Sequence, residues 1–500
     1  MNRPQIIIAG GGIGGLVSSL ILARYADVTL LERSSRCGGK ARRQSVGSDW
    51  IDCGPTVFTM KWVFDSIFDQ CGLRLEDELP LEKLDCLARH FWTDGTQLDL
   101  YADPARSAEA IASFSSPAEA DRFWDFTRKS QEIFDRLTDS FMRAPKADMA
   151  RLILSGNPMT SLKLKPFSTL WQALSEQFTD PRLQQLYGRY ATYCGASPFE
   201  APATLMLIAH AERVGVWIPE GGMAGLAACL ERLARNAGVR IETGCELAEI
   251  TLDKGAVCGV VDQTGKEWRA DSVIFNGDVA ALRHNILGKQ ARRVLGKEPG
   301  GQRSQSAVTF TVSAAPRGVE LDAHNVFFSD DYRAEFDAVF KRGEMPKDPT
   351  TYLYAPDTDA SGARSMFFLI NAPANGDTHH YTNEEVEQCH LRMTKLLSRC
   401  GLTLQNQTDT LTATTPSDFA KRFPATGGAL FGMAGHGWQS PFKRAGVRTK
   451  LPGLYLAGGS IHPGAGVPMA ALSGQSAAMS LISDFDLTAR SPELATLGGM

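Results

Sequence analysis

No apolar run in these 500 residues approaches the roughly 18–20 needed to cross a bilayer; the longest, near 203–209, is far shorter. The chain therefore reads as soluble or peripheral. Its ten cysteines include no C-x-x-C pair, and its nine histidines form no cluster at metal-ligand spacing. That pattern argues against a zinc site or a disulfide framework and suits reduced, mostly buried thiols in the cytoplasm. Nor does one sign of charge dominate: 52 basic residues face 56 acidic ones, a net charge of −4, which offers nucleic acid no footprint. The apolar run behind Arg3 breaks at Gly10, where the core of a signal peptide would continue. No internal repeat, low-complexity tract, Ser-His-Asp set or carboxylate pair stands out.

What is present is concentrated at 6–40, IIIAGGGIGGLVSSLILARYADVTLLERSSRCGGK. A strand of four apolar residues runs into Gly10, Gly12 and Gly15 of a G-x-G-x-x-G turn. A helix over 16–25 and a second strand at 28–31 follow. Gly10 permits the tight turn, Gly12 lets the backbone approach a pyrophosphate, and Gly15 lets helix and strand pack closely. The helix start offers unpaired N–H groups to phosphate oxygens. Glu32, twenty residues beyond Gly12, stands at the strand tip, where a carboxylate accepts from ribose hydroxyls. Strand, turn, helix, strand and acid in this order predict a dinucleotide site; the alternative is a glycine-rich loop of an ordinary α/β protein.

The residues after Glu32 favour FAD over a nicotinamide. Arg36, Gly38, Gly39 and Lys40 complete E-x-x-x-R-x-G-G-K, a second glycine pair that allows backbone approach from the other side, with a cation alongside. No second G-x-G-x-x-G occurs in a strand–turn–helix setting, so a separate NAD(P)H domain is not expected.

Length predicts two or three domains, and composition (43% hydrophobic, 22% charged) an ordinary globular protein. The fold class expected is α/β, with a Rossmann-like FAD-binding domain and an interleaved α+β substrate domain. The FAD-binding domain would be split over 1–75, 215–290 and 441–490, and the substrate domain over 76–214 and 291–440. In the middle portion, Gly221-Gly222 opens a periodic helix, with strands expected at 239–241, 258–261 and 273–275 before Asn276-Gly277-Asp278. The last portion, GLYLAGGSIHPGAGVPMAALSG, reads as a strand at 454–457, a glycine-rich loop and a helix from about Pro468, where proline fits the first turn. That helix start would face the flavin pyrimidine edge. His462 stands either beside the flavin or as a brace for its own loop. The final dozen residues read as a frayed end.

Together the glycine turn, E-x-x-x-R-x-G-G-K, Asp52-Cys53-Gly54-Pro55-Thr56 and the 453–468 segment resemble the FAD-dependent carotenoid desaturases of the bacterial phytoene desaturase type. YGRYATYCGASPFEAPATLMLIAH (187–210), GVWIPEGGM (215–223), HNVFFSDDYRAEFDAVF (324–340) and DPTTYLYAP (348–356) narrow the resemblance to the 1-hydroxycarotenoid 3,4-desaturases of phototrophic bacteria, which act on hydroxyneurosporene or methoxyneurosporene. The resemblance spans about 5–480. It implies Gly10, Gly12, Gly15 and Glu32 on the ADP half of FAD, and Arg36, Gly38, Gly39 and Lys40 along the diphosphate and ribityl chain. It implies Gly54, Pro55 and Thr56 against the flavin ring, and Leu247 presenting backbone to the adenine. Gly459, Val467, Pro468 and Met469 would contact ribityl and pyrimidine atoms. Two departures stand out. Gly459 replaces a frequent carboxylate, leaving the ribityl hydroxyl to backbone or water. Asn276-Gly277-Asp278 replaces Asn-Ala-Asp, which is expected to loosen that turn.

The implied reaction is hydride loss from an allylic carbon to the flavin, with a proton leaving the adjacent carbon to a weak carboxylate or to water. The protein would supply a dry apolar channel and alignment. Tyr190, Tyr193, Phe199 and Trp217 are candidates to line it, with plain core the alternative, and His462 joins them as a candidate substrate contact. A carotenoid partner implies peripheral contact with membrane lipid. Residues 140–172 suit this, combining Phe141, Met142, Leu152, Ile153, Leu154, Phe167 and Trp171 with five basic residues against Asp148; a helix packed on its own domain is the alternative. The electron acceptor would be a quinone or oxygen. Other readings stay open: another carotene desaturase or isomerase, an amine or protoporphyrinogen oxidase, or a lipid-binding escort that has lost FAD.

Overall fold

The computed structural model describes residues 3–47, 49–148, 168–291, 301–356, 363–405 and 411–487. At its centre, a five-stranded parallel sheet gathers β1 (Gln5–Ala9), β2 (Asp27–Glu32), β3 (Arg240–Thr243), β4 (Ser272–Phe275) and β5 (Leu454–Leu456) in the order β5-β4-β1-β2-β3. Three distant stretches of chain thus share one sheet. The middle strand is apolar at successive positions, Ile6, Ile7 and Ile8, all at most 2% exposed, as a strand covered on both faces requires. Around it pack helices α1 (Ile13–Leu22), α2 (Gly222–Asn236) and α3 (Val467–Asp484). All ten residues of α1 are buried. α1 meets α3 closely enough for Ser18 Oγ to donate to the Gly474 carbonyl at 2.9 Å. Beside this sheet lies a three-stranded antiparallel one, Leu247–Asp253, Ala256–Asp262 and Glu267–Arg269.

The second large sheet has eight strands and is antiparallel except where His324–Phe327 runs alongside Cys86–Phe91. Its alternation explains its placement. Along Arg364–Ala372, the residues Met366, Phe368, Ile370 and Ala372 point into an apolar core shared with the helix Asn383–Arg399. The intervening Phe367, Leu369 and Asn371 line an internal cavity. Period-two patterning therefore gives one face to the core and the other to the cavity. A helical layer, including Pro117–Leu137, Pro181–Gly188 and Leu207–Val214, closes the far side. Its starts are written locally: Ser116 and Asp180 each precede a proline, and their side chains accept from the N–H groups of Glu119 and Arg182.

All ten cysteines are free thiols. No helix among the described residues is long and apolar enough to cross a membrane. The segment expected to touch lipid falls mostly at 149–167, outside the described residues, as do Leu152, Ile153, Leu154 and Phe167. Of its flanks, Met142 is buried and Phe141 packs edge-on against His462, ring centroids 4.6 Å apart.

Candidate active site

A cavity of about 760 Å³ runs between the parallel sheet, the second sheet and the helical layer. At one end its wall is backbone. The β1–α1 turn takes φ +110° at Gly10, a conformation that only glycine adopts without strain. A Cβ at Gly15 would lie 2.1 Å from the Gly10 carbonyl, so helix and turn can meet only over a bare Cα. The second glycine pair docks on the first: the Gly38 N–H donates to the Gly11 carbonyl at 2.8 Å, and Gly39 stacks on Gly12. The Glu32 carboxylate is preset, accepting the Gly11 and Ser34 N–H groups at 2.7 Å each, with lone pairs left over.

Both helices whose starts face the cavity, α1 after Gly12 and α3 after Gly466, lack a side-chain cap, so first-turn N–H groups remain for a ligand. Glycine cradle, preset carboxylate and two open helix starts fit a dinucleotide carrying a negatively polarisable ring. Among the described residues, no group of three His, Cys, Asp or Glu side chains is placed to hold a metal.

Two residues to which motif reading gave no role hold this end together. Asn276 Nδ2 donates to the Gly10 carbonyl at 3.1 Å, tying β4 to the glycine turn. Arg444, half-buried, donates to the carbonyls of Gly459, Phe431 and Met433 at 3.1 Å each, fastening the C-terminal turn to the strap across from it. A Cβ at Gly459 would meet only atoms 3.7 Å away or farther, so the missing carboxylate leaves room and not a clash. Gly277 is tighter than its sequence suggests: a Cβ there would lie 2.4 Å from the Phe275 ring, so glycine matches this ring's placement. Lys40 Nζ donates to the Leu430 carbonyl at 2.5 Å. Burial lowers its pKa, with Asp278 opposing and Arg444 adding to the effect.

The other end is built of side chains. Arg189 Nη1 donates to the Tyr193 hydroxyl at 2.8 Å, which donates to Glu212 Oε1 at 2.7 Å; Tyr190 donates to Glu212 Oε2 at 2.5 Å. Burial works against the Arg189 charge, yet Tyr193, Glu212 and Tyr190 hold its pKa above the ordinary value. Burial and that cation together push His324 down to about 3, so its imidazole is neutral. The Tyr352 hydroxyl bonds His324 Nδ1 at 2.7 Å and Thr56 Oγ1 at 2.6 Å. Behind the wall, Glu335 accepts from Asn371 Nδ2 at 2.9 Å and the Thr350 N–H at 3.1 Å, and burial raises it to about 7.

Of the residues singled out in the sequence, Gly10, Gly12, Glu32, Gly38, Gly39, Lys40, Gly54, Pro55, Thr56, Leu247, Gly459, Val467, Pro468 and Tyr193 line this one cavity. Seven lie off its lining. Gly15 acts through the helix–turn contact, Arg36 lies over the Trp50 ring at 5.8 Å, and Met469 packs against the core of the parallel-sheet domain. Tyr190 reaches the site through Glu212, Phe199 packs on Trp171 with centroids 4.6 Å apart, and Trp217 sits edge-on to Phe58. His462 donates from Nε2 to the Phe141 carbonyl at 2.8 Å, and burial pushes it down to about 4, the behaviour of a neutral brace. Glu212 and Arg444 had no motif to announce them, while Arg189 and Asn276 lay inside the 187–210 segment and the 276–278 turn without a role assigned; an arginine between tyrosines was the available signal.

Hydroxyneurosporene desaturase of Rubrivivax gelatinosus is 46% identical over 510 residues, covering 100% of this chain and 97% of that protein. Hydroxyneurosporene desaturase of Cereibacter sphaeroides is 41% identical over 489 residues, covering 96% and 98%. An oxidoreductase of Methanosarcina mazei shares the fold, with a TM-score of 0.63 at 16% identity over 96% of this chain and 100% of that one. Residues 13–482 match the flavin-containing amine oxidoreductases, so the chain belongs to that family and is an oxidoreductase with FAD as its cofactor.

Proposed function

We propose that this protein desaturates an acyclic 1-hydroxycarotenoid, of the hydroxyneurosporene or methoxyneurosporene type, at C(3)–C(4) in carotenoid biosynthesis. The observation that carries the reading is the 46% identity, end to end, with a hydroxyneurosporene desaturase. Bound FAD would supply the two-electron acceptor; the ADP half would lie along Glu32 and the glycine turns, and the ring beside Gly54–Thr56 and the start of α3. The chain's own part is to bind, align and dry the polyene. Val57, Ile208, Ala211, Val326, Phe367 and Leu369 supply apolar wall for it. Thr56 and Tyr352 spend their hydroxyls on each other and on His324. Glu212 also lines that wall, and both its oxygens accept phenol O–H groups, from Tyr190 and Tyr193.

A polyene substrate also argues for a cytoplasmic enzyme working at a membrane surface, with a quinone or oxygen reoxidising it. The test is an anaerobic assay of the flavin-loaded protein with 1-hydroxyneurosporene in anionic liposomes. Expected are a product lighter by two hydrogens, a red-shifted polyene spectrum, and protein that pellets with the vesicles. Conversion of phytoene instead would move the enzyme to the general desaturases, and inertness toward both would leave only a flavoprotein.

A further inference from the structure

We propose that Arg189 binds the oxygen on the substrate's terminal carbon and so selects oxygenated polyenes over hydrocarbon ones. The inference rests on the functional reading above and adds a residue to it. Arg189 is 6% exposed and lines the cavity, yet one of its nitrogens alone, Nη1, has a partner; Nε and Nη2 have none among the described residues. Buried polar groups in folded proteins are nearly always satisfied, and a buried cation with idle N–H groups is especially costly. Two neighbours share the condition. Gln305 donates from Nε2 to the Thr192 carbonyl at 3.1 Å while its Oε1 is unpartnered, and Ser306 Oγ is unpartnered beside it; both line the cavity. Donors and an acceptor therefore stand idle on the lining of one largely apolar cavity.

The guanidinium cannot turn away to satisfy itself elsewhere. Tyr193 and Glu212 hold it, and the Tyr190 and Tyr193 rings lie 5.3 and 5.2 Å from its centre. Its position also suits the chemistry. In a 1-hydroxycarotenoid the oxygen is only a few bonds from C(3) and C(4), so whatever recognises it must sit near the ring that accepts the hydride. Arg189 lies within electrostatic reach of Tyr352, which is bonded to Thr56, the residue expected against that ring. An arginine N–H donates equally to an alcohol or an ether oxygen, whereas Gln305 Oε1 can accept only from an alcohol. Both substrates should bind, with a modest preference for the hydroxyl. A hydrocarbon end would bury the cation unsatisfied.

The test compares holoenzyme kinetics on 1-hydroxy, 1-methoxy and hydrogen-terminated carotenoids, for the wild type and Arg189→Met. The wild type is expected to favour either oxygenated substrate by about 10⁴-fold or more in kcat/KM, the discrimination typical of a site built to bond a hydroxyl. In Arg189→Met that ratio should collapse toward one, with the flavin spectrum unchanged. An undiminished ratio in Arg189→Met overturns the proposal while leaving the functional reading intact. Wild-type inertness toward every oxygenated substrate removes the reading and the proposal together. If Arg189→Met fails to load flavin, the wild type decides by itself: equal kcat/KM on oxygenated and hydrocarbon substrates overturns the assignment.

Discussion

The two ends of the cavity are made of different materials. Around Glu32 and the glycine turns the ligand would meet backbone: N–H groups, carbonyls and Cα atoms with nothing attached. Around Arg189 it would meet side chains brought from 189–193, 212, 305 and 352. Where that wall meets another backbone, as Gly15 meets Gly10, it tolerates no added atom. A side-chain wall can be rewritten one residue at a time, with loss of recognition before loss of fold. The contrast predicts that cofactor retention and substrate choice are separable by mutation.

The strongest blow to that separation, or the best support for it, would come from Gly15→Ala. The new methyl would lie 2.1 Å from the Gly10 carbonyl, and overpacking of this kind costs about 1–3 kcal/mol or more. The expected product is a protein purified with little or no flavin absorbance; a fully yellow one breaks the comparison. Tyr193→Phe should act in the opposite sense. It removes the hydroxyl bridging Arg189 and Glu212, and kcat/KM on the oxygenated substrate should fall by about 10–100-fold, the effect of unpairing a buried polar group. Flavin content should stay at wild-type level, and flavin loss comparable to Gly15→Ala would merge the two ends into one.

The mildest effect concerns pH and the wall behind the chamber. Glu335 is raised by burial from 4.5 to about 7, so between those values the folded state holds a proton that the unfolded state has released. The contribution of Glu335 to stability is then greatest below about 4.5, falls as pH rises toward 7, and levels off above. Glu335→Gln should remove that contribution, so the wild-type denaturant midpoint minus that of the variant should decline from pH 5 to 8. Asp52, raised by burial to about 6, and the buried His324 and His462, pushed down to about 3 and about 4, act with opposite signs and are common to both proteins. An unchanged profile would place the titration elsewhere.

The same contrast governs what the sequence disclosed. β1, the glycine turn, α1 and Glu32 are legible because the sequence signals that mark them lie within about thirty residues of one another, and because glycine spacing reports backbone geometry directly. The parallel sheet and its α/β class followed from those local signals. The helix starting at α3 was expected near Pro468 and begins at Val467, since a proline in the first turn is a local signal too. Arg189 and Glu212 were hidden because their significance exists only once a helix, a turn and two strands of the second sheet converge. Asn276 was seen merely as part of a variant turn, although its amide spans 266 positions to Gly10. Aromatic residues were ambiguous for the complementary reason: Phe199 and Trp217 suit channel lining or plain core equally by type, and they pack on Trp171 and Phe58.

The pairing of β1 with residues 272–275, and of α1 with a helix that begins at Val467, sets an order for synthesis. Ser18 finds its Gly474 partner 456 positions later. Throughout that interval the nascent chain carries the ten apolar or small residues of α1 without the cover that α3 finally gives them. An early element is thus fully sheltered only late, and the flavin cradle cannot close until α3 has left the ribosome. Contacts of such long range fold slowly and leave sticky intermediates. Production of this protein should therefore depend more on chaperone supply and growth temperature than its balanced surface charge suggests.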